Sequence, residues 1–244
     1  MCTVTYLPLL KSASGFVLTD NRDESINRPA QAPQKYAELQ SELYYPRDKK
    51  AGGTWIGVGK EKHLITLMNG AFKPHQRKVS YRKSRGVVVK ELLSAARVKP
   101  AFLDYELEGV EAFFAVVVSW KKGLRLYEMI WDGNQRFVFE RNPEEPFIWS
   151  SAMLYTPSER AEREAYFQAF SHNFPVPEKP AEALWEFHHS SGLGGENIKI
   201  DRGVLQTTSI SQYTHGFKGE DYFRYEDVLS GHAQKEPVIW TAKH

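Results

Sequence analysis

The chain has 244 residues, 41% hydrophobic and 25% charged, which suffices for a sizeable core and excludes a disordered or fibrous protein. Thirty-two Lys and Arg stand against thirty Asp and Glu, and a net charge of +2 is too small for a protein built to neutralise nucleic-acid phosphates. No apolar run approaches the ~18 residues of a spanning helix, and Met1-Cys2-Thr3-Val4-Thr5-Tyr6 lacks the basic and apolar regions of a signal peptide. A soluble, cytoplasmic protein without membrane insertion is expected.

In chain order, residues 2–8 and 15–20 read as short strands of β-branched and aromatic residues, joined by Lys11-Ser12-Ala13-Ser14 into a hairpin. A turn centred between Ser12 and Ala13 makes partner numbers sum to 25, placing Cys2 across from Asp23 and Thr3 across from Arg22. Residues 25–51, rich in Pro, Gln, Tyr and charge, read as a long irregular excursion over the surface. Gly52–Val58 and His63–Met68 form a second hairpin around Gly59 to Lys62, and its second strand runs into the turn signal Asn69-Gly70. The basic loop from Lys73 to Arg85 reads as a solvated face, with screening of an anionic ligand as its alternative.

Val89, Leu92, Leu93 and Ala96 recur at helical spacing up to Pro100. Phe113–Ser119, Leu124–Trp131 and Phe137–Glu140 form a meander, and helices follow at 157–172, with Pro in its first turn, and at about 180–189. Val204–Ile210 and Asp221–Tyr225 are late strands. With no repeat or linker, one domain over residues 1–244 is expected, in an α+β layered architecture.

The single cysteine excludes an internal disulfide and a zinc site of several thiolates. A lone cysteine is most often a small buried hydrophobe, and a tetrad such as Asn21-Arg22-Asp23-Glu24 is most often a turn or an ion pair. Adjacent His188 and His189 point in different directions on a helix and are weak evidence for a metal site. Gly192-Leu193-Gly194-Gly195 lacks the Lys of a phosphate-binding loop.

Three placements raise Cys2 above the buried-hydrophobe reading. It follows Met1, so removal of Met1 leaves a thiol and a free α-amine on one residue, with pKa values near ~8.5 and ~8, between which proton transfer is easy. The hairpin brings Arg22, which favours a thiolate, and Asp23, which can hold an ammonium, beside it. Asn69 at a strand end can present an amide to an oxyanion. Cys2, Arg22 and Asp23 are therefore expected to share one cleft with Asn69 on its rim.

Met1-Cys2-Thr3-Val4, Asn21-Arg22-Asp23-Glu24 and Gly52-Gly53-Thr54-Trp55-Ile56-Gly57-Val58 together resemble the NRDE family, also called the transport and Golgi organisation protein 2 family. Ser84-Arg85-Gly86 and Thr207-Thr208-Ser209 add to the likeness. The resemblance implies an N-terminal-nucleophile hydrolase fold, a four-layer αββα sandwich of antiparallel sheets related to choloylglycine hydrolase and penicillin V acylase. It implies Cys2 as nucleophile, Arg22 as thiol activator, Asp23 as amine orienter and Asn69 as oxyanion donor. Asn21 and Ser151 fall to substrate binding, Ser151 lying in Trp149-Ser150-Ser151-Ala152, where many members carry Asn. No cofactor or metal is expected. The reaction implied is cleavage of a linear non-peptide amide, or a related ester, of a small molecule through a Cys2 acyl-thioester. The alternative is a non-catalytic binding or trafficking protein on the same fold, holding haem or another hydrophobic ligand. Either reading leaves a homo-oligomer open.

Overall fold

The computed structural model describes residues 2–9, 15–172, 179–217 and 220–241, with the side chains of Cys2 and Phe217 outside the described set. The chain divides into two compact units, residues 1–27 with 143–239 and residues 28–142 with 240–244. The first unit opens with β1 (Cys2–Pro8) and β2 (Phe16–Ser25). The second holds β3 (Ala30–Glu38), β4 (Ser41–Asp48), β5 (Ile56–Gly59), β6 (His63–Asn69), α1 (Arg85–Leu93), α2 (Val98–Asp104), β7 (Phe113–Ser119), β8 (Arg125–Trp131) and β9 (Arg136–Arg141). Back in the first unit come β10 (Phe147–Ser150), α3 (Pro157–His172), α4 (Pro180–His188), β11 (Asp201–Arg202), β12 (Leu205–Phe217), β13 (Glu220–Asp227) and β14 (His232–Pro237).

The sheet of the first unit runs β10-β1-β2-β12-β13-β14, with β11 paired to β12 and every pairing antiparallel. The first hairpin forms where expected, but one residue out of register: partners sum to 24, so Cys2 lies opposite Arg22 and Thr3 opposite Asn21. The expected turn between Ser12 and Ala13 lies outside the described residues, and Leu9 N–H donates to Gly15 O at 2.8 Å. Side-chain alternation explains the register. With a sum of 24, Tyr6 pairs with Leu18 and Pro8 with Phe16, whereas the expected pairing would set Tyr6 against Thr19. A slip of one residue turns every side chain to the wrong face.

Even-numbered positions of β1 and β2 thus share one face, where Phe16 packs against Tyr6 and Tyr213. Odd-numbered positions face the helices: Val17 is buried with Phe167 of α3 and with Leu184 and Phe187 of α4. The same face carries Thr3, Thr5, Asn21 and Asp23, so the helices close over a strip of polar groups as well as apolar ones.

The sheet of the second unit is a meander in chain order, β3 to β9. Its core gathers Leu43 and Tyr45 of β4, Ile65 and Leu67 of β6, and Val88, Val89, Leu92 and Leu93 of α1. Residues 25–51 are not an irregular excursion. They hold β3 and β4, a hairpin whose turn residues Leu39 and Gln40 adopt φ of 53° and 59° without the Gly or Asn that normally announces such a turn. Stacking of Tyr36 on Tyr45 at 4.3 Å secures it, and the ladder shifts register between Gln31 and Gln34, where Pro33 falls. Pro100 does not end a helix but sits in the first turn of α2, where a missing N–H leaves no gap.

Two glycines explain the third and fourth resemblance motifs. A Cβ on Gly53 would lie 2.7 Å from the Gly86 carbonyl carbon, and one on Gly86 would lie 2.8 Å from Thr54 N. Thr54 N–H donates to Gly86 O across this backbone-to-backbone contact, which docks the start of α1 onto the strand entry. Strands β10 and β14 escape the sequence reading. The first is four residues long, and the second, His-Ala-Gln-Lys-Glu-Pro, is a charged edge strand with no apolar alternation to reveal it.

Candidate active site

Cys2 and Arg22 stand opposite each other at the chain-terminal end of the β1–β2 ladder. The Cys2 side chain lies outside the described residues. On its other side β2 pairs with β12, and there Asp23 faces Thr207 while Arg22 faces Ser209, leaving Thr208 as an extra residue. Such a bulge re-aims side chains. It gives Asp23 a hydroxyl on one face, and Thr208 Oγ1 accepts from Arg22 Nη1 at 3.0 Å while donating to Arg22 O at 3.1 Å. Both Arg22 and Asp23 are buried, although they point to opposite faces of the strand.

Asp23 has no solvent exposure, and donors meet both of its oxygens. Thr207 Oγ1 donates to Oδ1 at 2.7 Å and the Tyr155 hydroxyl to Oδ2 at 3.0 Å. Behind Tyr155 stands Arg163 of α3, whose Nη2 donates to the Tyr155 hydroxyl at 2.9 Å and to Thr3 Oγ1 at 2.8 Å. Burial raises the Asp23 carboxyl to about 6, against the opposing pull of the Thr207 bond, the Arg163 charge and the Tyr155 bond. Burial, joined by the Asp23 charge, drives the Tyr155 phenol far above its usual range.

Asn21 shares this face and serves α4. Its Nδ2 donates to His188 O at 2.9 Å and to Ile198 O at 3.2 Å, and its Oδ1 meets His188 Nδ1 at 2.8 Å. The other ring nitrogen of His188 meets Thr5 Oγ1 at 2.7 Å. Burial and the Arg163 charge hold His188 well below the ordinary imidazole pKa, so the ring is neutral. Ser151 is buried at the end of β10, where its Oγ accepts Met153 N–H and its carbonyl accepts Tyr155 N–H, forming the turn that delivers Tyr155. Asn69 ends β6 in the second unit, paired with Phe113, and Gly70 after it takes φ of 79° in the turn the Asn-Gly pair predicts.

Arg22 and Asp23 thus stand side by side at one strand end but on opposite faces of the sheet rather than in the one cleft expected, with Cys2 opposite Arg22 in the ladder, Asn21 along the same strand and Ser151 one strand away. Thr207, Thr208, Tyr155, Arg163 and His188 complete the surroundings, and the sequence reading gave none of them a role. Arg163 did carry a signal: it and Phe167, four residues apart, are the buried positions of α3, and an arginine on the apolar stripe of a helix needs a partner in the core. Among the described residues no group of three or more His, Cys, Asp or Glu could hold a metal, and no helix is long and apolar enough to cross a membrane.

The family model described as Transport and Golgi organisation 2 matches residues 1–174, which contain every one of these positions except His188, Thr207 and Thr208. The chain belongs to that family. No curated protein matches this member in sequence. Solved structures similar to it include three enzymes. A variant of conjugated bile acid hydrolase from Clostridium perfringens gives a TM-score of 0.61 at 10% identity, covering 97% of this chain and 92% of that one. Penicillin V acylase from Agrobacterium tumefaciens gives 0.60 at 10% identity, over 98% and 86%. The Caenorhabditis elegans ortholog of N-acylethanolamine-hydrolyzing acid amidase gives 0.55 at 10% identity, over 87% and 92%. Identity this low carries the fold alone, and that fold bears out the expected α+β class, antiparallel sheets with helices.

Proposed function

We propose that this family member is an N-terminal-nucleophile amidohydrolase that cleaves a linear non-peptide C–N bond of a small molecule in the cytoplasm. The pairing of Cys2 with Arg22, one step before buried Asp23, carries the reading. Asp23 is the next residue of β2 beyond the Cys2–Arg22 pair. With Met1 removed, Cys2 carries a free α-amine, which the Asp23 carboxylate would hold as an ammonium. Fold similarity to three amide hydrolases supports the class of reaction without deciding it.

In the proposed reaction the α-amine takes the thiol proton and the Cys2 thiolate, favoured by the Arg22 charge, attacks the amide carbonyl. A C–S bond forms as the carbonyl oxygen takes up the negative charge of the tetrahedral intermediate. Collapse breaks the C–N bond as the ammonium returns its proton to the leaving nitrogen. Water, deprotonated by the same amine, attacks the thioester; the C–S bond breaks and the carboxylic acid leaves. Ser151 borders the substrate, and Asn21 supports the strand through α4. The test is turnover of N-acyl amino acids, penicillin V and conjugated bile salts, with intact mass reporting loss of Met1 and an acyl adduct on Cys2. Wild type should process at least one and Cys2→Ala none. Absence of any turnover, joined to saturable haem binding with a Soret band, would replace this reading by the binding one.

A further inference from the structure

Arg163 is 2% exposed, and among the described residues it forms no direct ion pair. Its donors go to neutral oxygens: Nη1 to Asn197 O at 2.5 Å, Nε to Ser150 Oγ at 3.3 Å, and Nη2 to Thr3 Oγ1, to the Tyr155 hydroxyl and, at 3.5 Å, to Ile198 O. The guanidinium also lies 4.0 Å from the Tyr155 ring centroid, against the ring face. A buried cation without an anion is a costly arrangement. Here the Asp23 carboxylate compensates it through one intervening hydroxyl, because the phenol accepts from Arg163 and donates to Asp23.

We propose that Tyr155 and Arg163 are positioning residues for Asp23, forming a relay that keeps its carboxylate ionised and aimed at the Cys2 α-amine. The assignment rests on the amidohydrolase reading for what Asp23 does, and on geometry for how it is held. Tyr155 arrives from the Ser151 turn and Arg163 from α3, while Thr207 of β12 holds the other oxygen. Among the described residues each oxygen of Asp23 has one neutral donor, which leaves a second lone-pair direction on each for an ammonium. The charged and titratable groups around this relay are Arg163 on α3, His188 on α4, which is neutral, and Arg202 on β11, 5.6 Å from the Tyr155 ring centroid. Burial raises the Asp23 carboxyl to about 6 while the Arg163 charge and the Tyr155 bond oppose that rise, so removal of the relay raises it further.

The test follows the Asp23 carboxyl carbon by NMR across pH in the full-length protein, with Asp23→Asn for assignment, and in parallel the pH profile of Cys2 alkylation by iodoacetamide. Tyr155→Phe keeps the ring and removes the hydroxyl, and should raise the Asp23 midpoint by about one pH unit or more. The acid limb of the alkylation profile should move with it. Arg163→Lys should restore part of what Arg163→Met loses, and provides the measurement if Tyr155→Phe does not fold. An unmoved Asp23 midpoint in folded variants, whatever their loss of stability, would overturn the relay. If the midpoint moves while wild-type Cys2 reacts no faster than a free thiol, the relay stands and the amidohydrolase reading fails.

Discussion

Cys2 and Arg22 face each other across the β1–β2 ladder, while Asp23, the next residue along, turns to the opposite face and into the helices. One strand end therefore offers a cation on one face and a carboxylate on the other, held apart by the sheet itself. In the proposed chemistry Arg22 lowers the thiol pKa by placing positive charge near the sulfur. Iodoacetamide should label Cys2 at pH 7 faster than a free thiol of unperturbed pKa, and Arg22→Gln should slow labelling by about tenfold. Equal rates in wild type and variant, by mass spectrometry, would remove Arg22 from the activation.

Two buried groups set opposite pH dependences of stability. The folded Asp23 carboxyl is raised to about 6 from 3.8, so its favourable contribution is complete below the unfolded value and is lost as pH rises through about 6. By the energy of a pKa shift this amounts to about 3 kcal/mol between pH 4 and 7. His188 runs the other way: its folded pKa is depressed, so its contribution is complete above the unfolded value of 6.5 and declines as pH falls below it. Asp23→Asn should therefore gain on wild type by about 3 kcal/mol as pH rises from 4 to 7 in urea unfolding. A difference that stays flat with pH would contradict the burial of an ionisable Asp23.

Asn21→Ala should destabilise the protein by about 2–4 kcal/mol, because it strands the carbonyl of His188 and one His188 ring nitrogen in a water-excluded layer and leaves the Ile198 carbonyl only its long bond from Arg163. Asn21→Asp should be no better, since a carboxylate supplies no donor for either carbonyl. Urea midpoints at pH 7.5 measure both, and near-wild-type stability of Asn21→Ala would mean that α4 does not depend on this residue.

Gly53 and Gly86 make a prediction about packing alone. An alanine at either meets backbone at 2.7 to 2.8 Å, and backbone cannot swing aside as a side-chain tip can. Gly86→Ala should lower stability by about 1–3 kcal/mol, roughly 2–12 °C in Tm for a chain of this size. Val79→Ala, on a fully exposed position of the basic loop, should change Tm by no more than a degree or two. Equal midpoints for the two variants, in calorimetry, would show that the contact relaxes freely.

Alternation, helical period and turn residues were enough to reveal β1, β2, β5 to β9, α3 and α4, because each of these elements carries its burial pattern within its own residues. Adjacency in sequence likewise brought Cys2 to the Asn21-Arg22-Asp23-Glu24 cluster. Three things came from tertiary structure. The hairpin register was decided by which face of β2 the helices cover, since a turn of uncertain length admits pairings one residue apart and only burial separates them. The β3–β4 hairpin was decided by Tyr36 stacking on Tyr45, which holds Leu39 and Gln40 in a left-handed turn that their own preferences oppose. The surroundings of Asp23 were decided by long-range closure: Tyr155 and Thr207 lie far along the chain and reach the carboxylate only once β10, α3 and β12 are in place. Neither residue differs in sequence from any other tyrosine or threonine, because its meaning lies in the burial of the charge it meets.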